Sequence, residues 1–157
     1  GPQAGNGAWC GCVPSEISCR SVARLASVGR SAVTADRTDV ILVVENEPLI
    51  AMDLEGMLHA AGFPAVDHVA SVSEALDWLE RGAPHLVILD LVMRDGSTGP
   101  VARRLRAAGK PFVVYSGHSR REAAHETTFG DAVWLSKPCR PSDLESAITE
   151  ALGLPGR

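Results

Sequence analysis

Five short apolar runs punctuate the last three-quarters of the chain. Val40–Val44, Leu86–Leu89, Phe112–Tyr115 and Ala132–Leu135 are each continuous, with a weaker run at Ala65–Val69. A continuous apolar run of this length suits a strand buried on both faces rather than a half-exposed one. Between the runs the spacing becomes helical. Pro48 opens a pattern with Ile50, Leu54, Met57, Leu58 and Ala61 on one face, stopped at Gly62. Ser71 and Glu74 form a capping box before Ala75, Leu76 and Leu79, and Gly82 follows. Val101, Leu105 and Ala108 define a third helix ending at Gly109. Ser142 and Glu145 open a last one carrying Leu144, Ile148, Ala151 and Leu152. Ser119 and Glu122 would cap a further helix, but Ala123, Ala124, His125, Thr127 and Thr128 supply little to bury, and two β-branched threonines weaken it. That helix is expected to be short or mobile.

Strand and helix thus alternate five times between residues 39 and 153. Such alternation predicts an α/β fold: a five-stranded parallel sheet wound on both faces by helices. Ligands of open parallel sheets bind beyond the carboxyl ends of the strands. The first run is followed by Glu45-Asn46-Glu47, the third by Asp90, the fourth by Ser116-Gly117 and the fifth by Ser136-Lys137-Pro138. Any one of these residues has an ordinary explanation as a cap, a turn or a solvated charge. Carboxylates, a hydroxyl and an ammonium at the same end of one sheet form a set able to hold a divalent cation and a phosphoryl group.

Composition narrows the class without changing the picture. The 157 residues are 45% hydrophobic and 22% charged, with a net charge of −4, which gives no general footprint for nucleic acid or an anionic membrane. No apolar run approaches the roughly 20 residues of a membrane span. Residues 1–38 differ: they are rich in Gly, Ser and Ala, and four arginines against Glu16 and Asp36 give them +2, leaving −6 for the remainder. They are expected to be a disordered leader. Cys10, Cys12 and Cys19 lack paired zinc-ligand spacing and read as reduced thiols, as does the isolated Cys139.

The run ILVVENEPLIAMDLEGML, the segment LVILDLVM and the strand ends VVYSGHS and WLSKP resemble the receiver domain of two-component response regulators, over residues 39–153. PFVVYSGHS is similar to the alphaproteobacterial single-domain subfamily whose fourth strand reads Pro-Phe-x-Phe-Ala-Thr-Gly. The resemblance implies a flavodoxin-like (βα)5 fold with strand order 2-1-3-4-5. It implies that Asp90 accepts a phosphoryl group from a sensor histidine kinase or a histidine phosphotransfer protein. It further implies that Mg²⁺ is held by Glu45, Asn46, Asp90 and the carbonyl of Val92, that Lys137 pairs with a phosphoryl oxygen, and that Ser116 and Trp134 are the switch residues. Pro138 suggests a cis Lys-Pro bond. The family places an acid where this chain has Asn46, so Mg²⁺ is expected to bind weakly or with help from Glu47; Asn46 could equally be a plain cap before Pro48.

The implied function is a cytoplasmic single-domain response regulator acting through an unknown downstream protein, without nucleic acid or membrane. It is not an enzyme beyond assisting its own phosphorylation and dephosphorylation. The tail 154–157 and the leader are expected to leave no room for an output domain. Two other readings stand beside it: a phosphorylation-independent pseudo-receiver, and, less well supported because Val92 replaces a second acid, an aspartyl-phosphate hydrolase.

Overall fold

A computed structural model describes residues 40–123 and 127–154. The expected leader, residues 1–38, the tail 155–157 and His125 lie outside them. Five strands form one parallel sheet: β1 (Ile41–Val44), β2 (Val66–Val69), β3 (Leu86–Leu89), β6 (Phe112–Ser116) and β7 (Val133–Ser136). Between β3 and β6, β4 (Val92–Met93) and β5 (Gly96–Ser97) pair as a small antiparallel hairpin. The sheet order is β2-β1-β3-β6-β7, which is 2-1-3-4-5 when only the core strands are counted. Helices α1 (Pro48–Ala60), α2 (Val72–Arg81), α3 (Gly99–Ala107) and α4 (Pro141–Ala151) cover it.

Alternation along the strands divides the core between the two faces of the sheet. Ile41, Val43, Leu86, Ile88, Val113 and Tyr115 pack with Leu54 and Leu58 of α1 and Leu144 and Ile148 of α4. Leu42, Val44, Val87, Leu89, Phe112 and Val114 pack with Ala75 and Trp78 of α2 and with Val101 and Leu105 of α3. Both faces of the three central strands are therefore buried, which is why their sequences show runs instead of alternation. The outer strand β2 is largely exposed, with only Val69 buried. Gly62 and Gly109, at φ +95° and +64°, end α1 and α3 in a backbone conformation that side chains with a Cβ rarely adopt.

Several local expectations need correction. Residues 118–123 and 127–132 contain no α-helix. The Ser119–Glu122 cap does form, with Ser119 N–H donating to Glu122 Oε2 at 2.6 Å. It closes a turn only, and Thr127–Phe129 form a 3-10 turn. Phe129 is the one large apolar side chain this segment buries, too little to hold an amphipathic helix against the sheet. Helix α4 starts at Pro141, with Arg140 as its cap and Asp143 accepting Arg140 N–H at 3.3 Å; Ser142 is already inside it. Ala108 is exposed and Ala102 takes the inward position on α3. On α2 the main buried anchor is Trp78, whose indole N–H donates to Asp67 on β2 at 2.8 Å.

Candidate functional site

Strands β1 and β3 are neighbours, but their helices leave on opposite faces, so a crevice opens at their carboxyl ends. The backbone ladder continues one residue past each strand: Glu45 N–H donates to Val69 O at 3.1 Å, and Asp90 N–H to Val44 O at 3.0 Å. Two carboxylates are therefore fixed side by side at the crevice. Glu45 is 1% exposed, and the Asp90 side chain 16%.

Lys137 enters from β7 across the sheet. Its ammonium donates to Asp90 Oδ2 at 2.8 Å and also to Glu45 Oε2. The other oxygens are held by backbone donors: Glu45 Oε1 accepts Glu47 N–H at 2.9 Å, and Asp90 Oδ1 accepts Leu91 N–H at 2.6 Å. Burial by itself would lower the Lys137 pKa. The bonds and charges of Asp90 and Glu45 outweigh it and hold the ammonium above its ordinary value. The Lys137–Pro138 peptide is cis, as the sequence suggests. The group carries two negative charges and one positive, so it stays net anionic.

Glu45, Asp90 and Lys137 are thus brought together. Asn46 follows Glu45 and is half-buried. It does not cap α1: the cap residue is Glu47, which makes no side-chain cap bond, and Pro48 has no N–H that would need an acceptor. Val92 lies in the hairpin two residues past Asp90, its side chain 53% exposed. Among the described residues, no three Asp, Glu, His or Cys side chains gather closely enough to hold a metal ion by themselves. Glu47, beside Asn46, is exposed. The set the resemblance implies is two carboxylates, an amide oxygen and a backbone carbonyl. All are hard oxygen donors, a chemistry that fits Mg²⁺ with less charge than three acids would bring.

Ser116 ends β6 and is fully buried. Its hydroxyl accepts His118 N–H at 3.1 Å. Trp134 sits on β7 beside Val114, half-buried, and its indole N–H donates to His118 O at 3.1 Å. Both expected switch residues therefore grip the same residue, His118, through its backbone.

Three residues around the site escape sequence reasoning. His68 Nε2 donates to Glu45 O at 2.6 Å from the neighbouring strand β2. Asp95, at the hairpin tip, accepts Val72 N–H at 2.9 Å and Ser73 N–H at 3.1 Å; these bonds to the start of α2 hold its carboxyl below the usual range. Thr98, fully buried, bonds the carbonyls of Asp90 and Leu91. Nothing in the sequence pattern marks these residues, because each partner is brought close only by strand pairing or by the hairpin.

Comparison with known proteins gives consistent results. The chain is 28% identical to the phyllosphere-induced regulator PhyR of Methylorubrum extorquens over 140 residues, 87% of this chain and 52% of that protein. It is 35% identical to the transcriptional regulatory protein PdtaR of Mycobacterium tuberculosis over 117 residues, 71% of this chain and 56% of that one. The chain thus spans about half the length of these curated relatives. Among solved structures, SdrG of Sphingomonas melonis Fr1 superposes with a TM-score of 0.62 at 35% identity, covering 78% of this chain and all of SdrG. SdrG has also been determined in a BeF3-activated conformation. The model of the response regulator receiver domain matches residues 41–149, which include Glu45, Asp90, Ser116 and Lys137. With the sheet order, the paired acids and the lysine on one crevice, these matches show that the chain belongs to the response regulator receiver domain family.

Proposed function

We propose that this receiver is a phosphoacceptor whose nucleophile is Asp90 and whose phosphodonor is the phosphohistidine of a sensor histidine kinase or a histidine phosphotransfer protein. The observation that carries this reading is the Asp90 carboxylate at the mouth of the crevice, 2.8 Å from the Lys137 ammonium. An Asp90 oxygen attacks phosphorus in line, an O–P bond forms, the donor's N–P bond breaks, and the electron pair leaves with the imidazole nitrogen. Lys137 is placed to shift its ammonium from a carboxylate oxygen to a phosphoryl oxygen as charge arrives. Glu45, Asn46, Asp90 and the carbonyl of Val92 would hold Mg²⁺. When bound, the ion screens the repulsion between the anionic acceptor and the anionic donor.

Ser116 and Trp134 are proposed as the readout. A phosphoryl group on Asp90 would recruit the Ser116 hydroxyl away from His118 N–H, and the loop that Trp134 also holds would then repack. The segment from His118 to Asp131, lacking an α-helix among its described residues, is the element with two packings to choose between. Output goes to a protein partner in the cytoplasm. No described helix is long and apolar enough to cross a membrane.

The test is labelling by a phosphorylated kinase or by acetyl phosphate, with Asp90→Asn alongside. The wild type is expected to take up label and Asp90→Asn to take up none. Equal label on both would remove Asp90 from its role.

Two observations favour a second reading, a phosphorylation-independent interaction module. Lys137 already satisfies both carboxylates, and Asn46 brings no charge for a metal. Tryptophan emission during a Mg²⁺ titration separates the two readings, since Trp134 is tied to the loop two residues beyond Ser116. A phosphoacceptor is expected to respond at millimolar Mg²⁺, and a silent protein would favour the module.

A further inference from the structure

Thr98 is the cap residue of α3, yet its side chain makes no cap bond to that helix. A threonine at this position ordinarily turns its hydroxyl forward to accept a free N–H of the first turn. Here Ser97 Oγ takes the Gly99 N–H, at 3.1 Å. The Thr98 hydroxyl turns back instead, to Asp90 O at 2.6 Å and Leu91 O at 3.0 Å. Thr98 N–H also donates to Leu91 O, at 3.1 Å. The residue is fully buried, so no water replaces these bonds. A cap interaction given up for a grip on the two peptides at the acceptor is a local rule broken beside a functional group.

The grip has a geometric consequence. The carbonyl of Asp90 sets the plane of the following peptide, whose Leu91 N–H holds Asp90 Oδ1. The carbonyl of Leu91 sets the next plane, which leads into the carbonyl of Val92. On the other side the hairpin is tied down by Asp95 on the start of α2. The segment 90–98 is therefore clamped at its base by Thr98 and at its tip by Asp95.

Resting on the phosphoacceptor reading, we propose that Thr98 is a positioning residue: its hydroxyl fixes the peptides after Asp90 so that the acceptor carboxylate and the Val92 carbonyl face one cation. Thr98 touches neither phosphoryl group nor metal. It acts through the backbone of residues that do.

The test compares Thr98→Val, which keeps the shape and removes the hydroxyl, with Thr98→Ser, which keeps it. Mg²⁺ affinity is measured by calorimetry without any phosphodonor, together with acetyl phosphate labelling and thermal unfolding. Thr98→Val is expected to bind Mg²⁺ about 10-fold more weakly or worse, the usual effect of losing a group that orients a ligand, and to label correspondingly more slowly. Thr98→Ser is expected to stay within about 2-fold of wild type, since its hydroxyl makes the same bonds. If Thr98→Val does not fold, Thr98→Ala against Thr98→Ser makes the same comparison. A variant without the hydroxyl that melts earlier but keeps wild-type Mg²⁺ affinity would overturn the proposal, because the hydroxyl would then serve stability alone. Label absent from the wild type, or persisting on Asp90→Asn, would overturn the phosphoacceptor reading, and this inference with it.

Discussion

Lys137→Met is expected to lower the unfolding free energy by about 3 kcal/mol in Mg²⁺-free urea melts, a value in the range for stripping one partner from a buried ion pair. Methionine matches the lysine stem but carries no charge. Glu45 and Asp90 would then face each other with no cation between them, one 1% exposed and the other 16%. An isolated surface bridge would cost under about 1 kcal/mol, so a loss that small would mean the crevice is more solvated than its geometry indicates. Two companion measurements assign the cause. Adding Glu45→Gln to Lys137→Met removes one unpaired charge and is expected to recover more than half of the loss, a coupling that a cavity effect would not produce. Mg²⁺ is expected to stabilise the variant more than the wild type, since the ion then supplies the missing positive charge. Labelling at Asp90 is expected to fall about 100-fold, the usual effect of removing a donor aimed at developing charge.

The same residue sets an alkaline limit. Folding raises the Lys137 pKa above its ordinary 10.5. For a base whose pKa is raised on folding, the contribution to stability is fully present below the unfolded value and is lost as pH rises through the folded one. Wild type is therefore expected to lose stability above about pH 10.5, and Lys137→Met to lack that component of the loss.

Asn46→Asp is the second large effect, and its sign depends on the metal. A unit charge pair about 4 Å apart is worth about 4 kcal/mol at an effective dielectric of 20, and the partial exposure of residue 46 reduces this. Mg²⁺ affinity is expected to rise at least about 10-fold, equivalent to 1.4 kcal/mol, when measured by calorimetry. Without metal the added carboxylate makes the group more anionic, with Lys137 still its one cation. The variant is then expected to be less stable than wild type. An Mg²⁺ affinity unchanged by Asn46→Asp would show that position 46 does not face the ion. The structure already removes the ordinary alternative, since Glu47, not Asn46, occupies the cap position of α1.

Much of the site could be read from the sequence because chemistry and periodicity coincide in this fold. Asp90 follows an uninterrupted run of four buried residues, and Glu45 does the same. A strand buried on both faces cannot carry a charge within itself, so the first polar residue after it lies at the end of the sheet where ligands bind. Lys137 follows a run that is only partly buried, and it could be read with Ser136 and Pro138 as the polar punctuation of that strand's end. The fourth helix was legible only as a weakness. Ser119 and Glu122 form the expected cap, but a cap cannot sustain a helix that has almost nothing to bury.

The contacts that tune the site could not be read in this way. His68 reaches Glu45 O because β1 and β2 pair with Val43 opposite His68, and a register between strands 25 residues apart leaves no local trace in either. The hairpin β4–β5 brings Asp95 to α2 and returns Thr98 beneath Asp90. Neither Asp95 nor Thr98 stands out in the sequence. The sequence by itself determined the five strands of the main sheet, the two-sided burial of the three central ones, and which chemical groups stand at their ends, because hydrophobic run length and polar punctuation are local properties. Tertiary structure decided which of those groups meet. It placed one ammonium between two carboxylates and turned a cap hydroxyl back toward the acceptor, since hydrogen bonds over such separations exist only once the sheet has fixed its order and register.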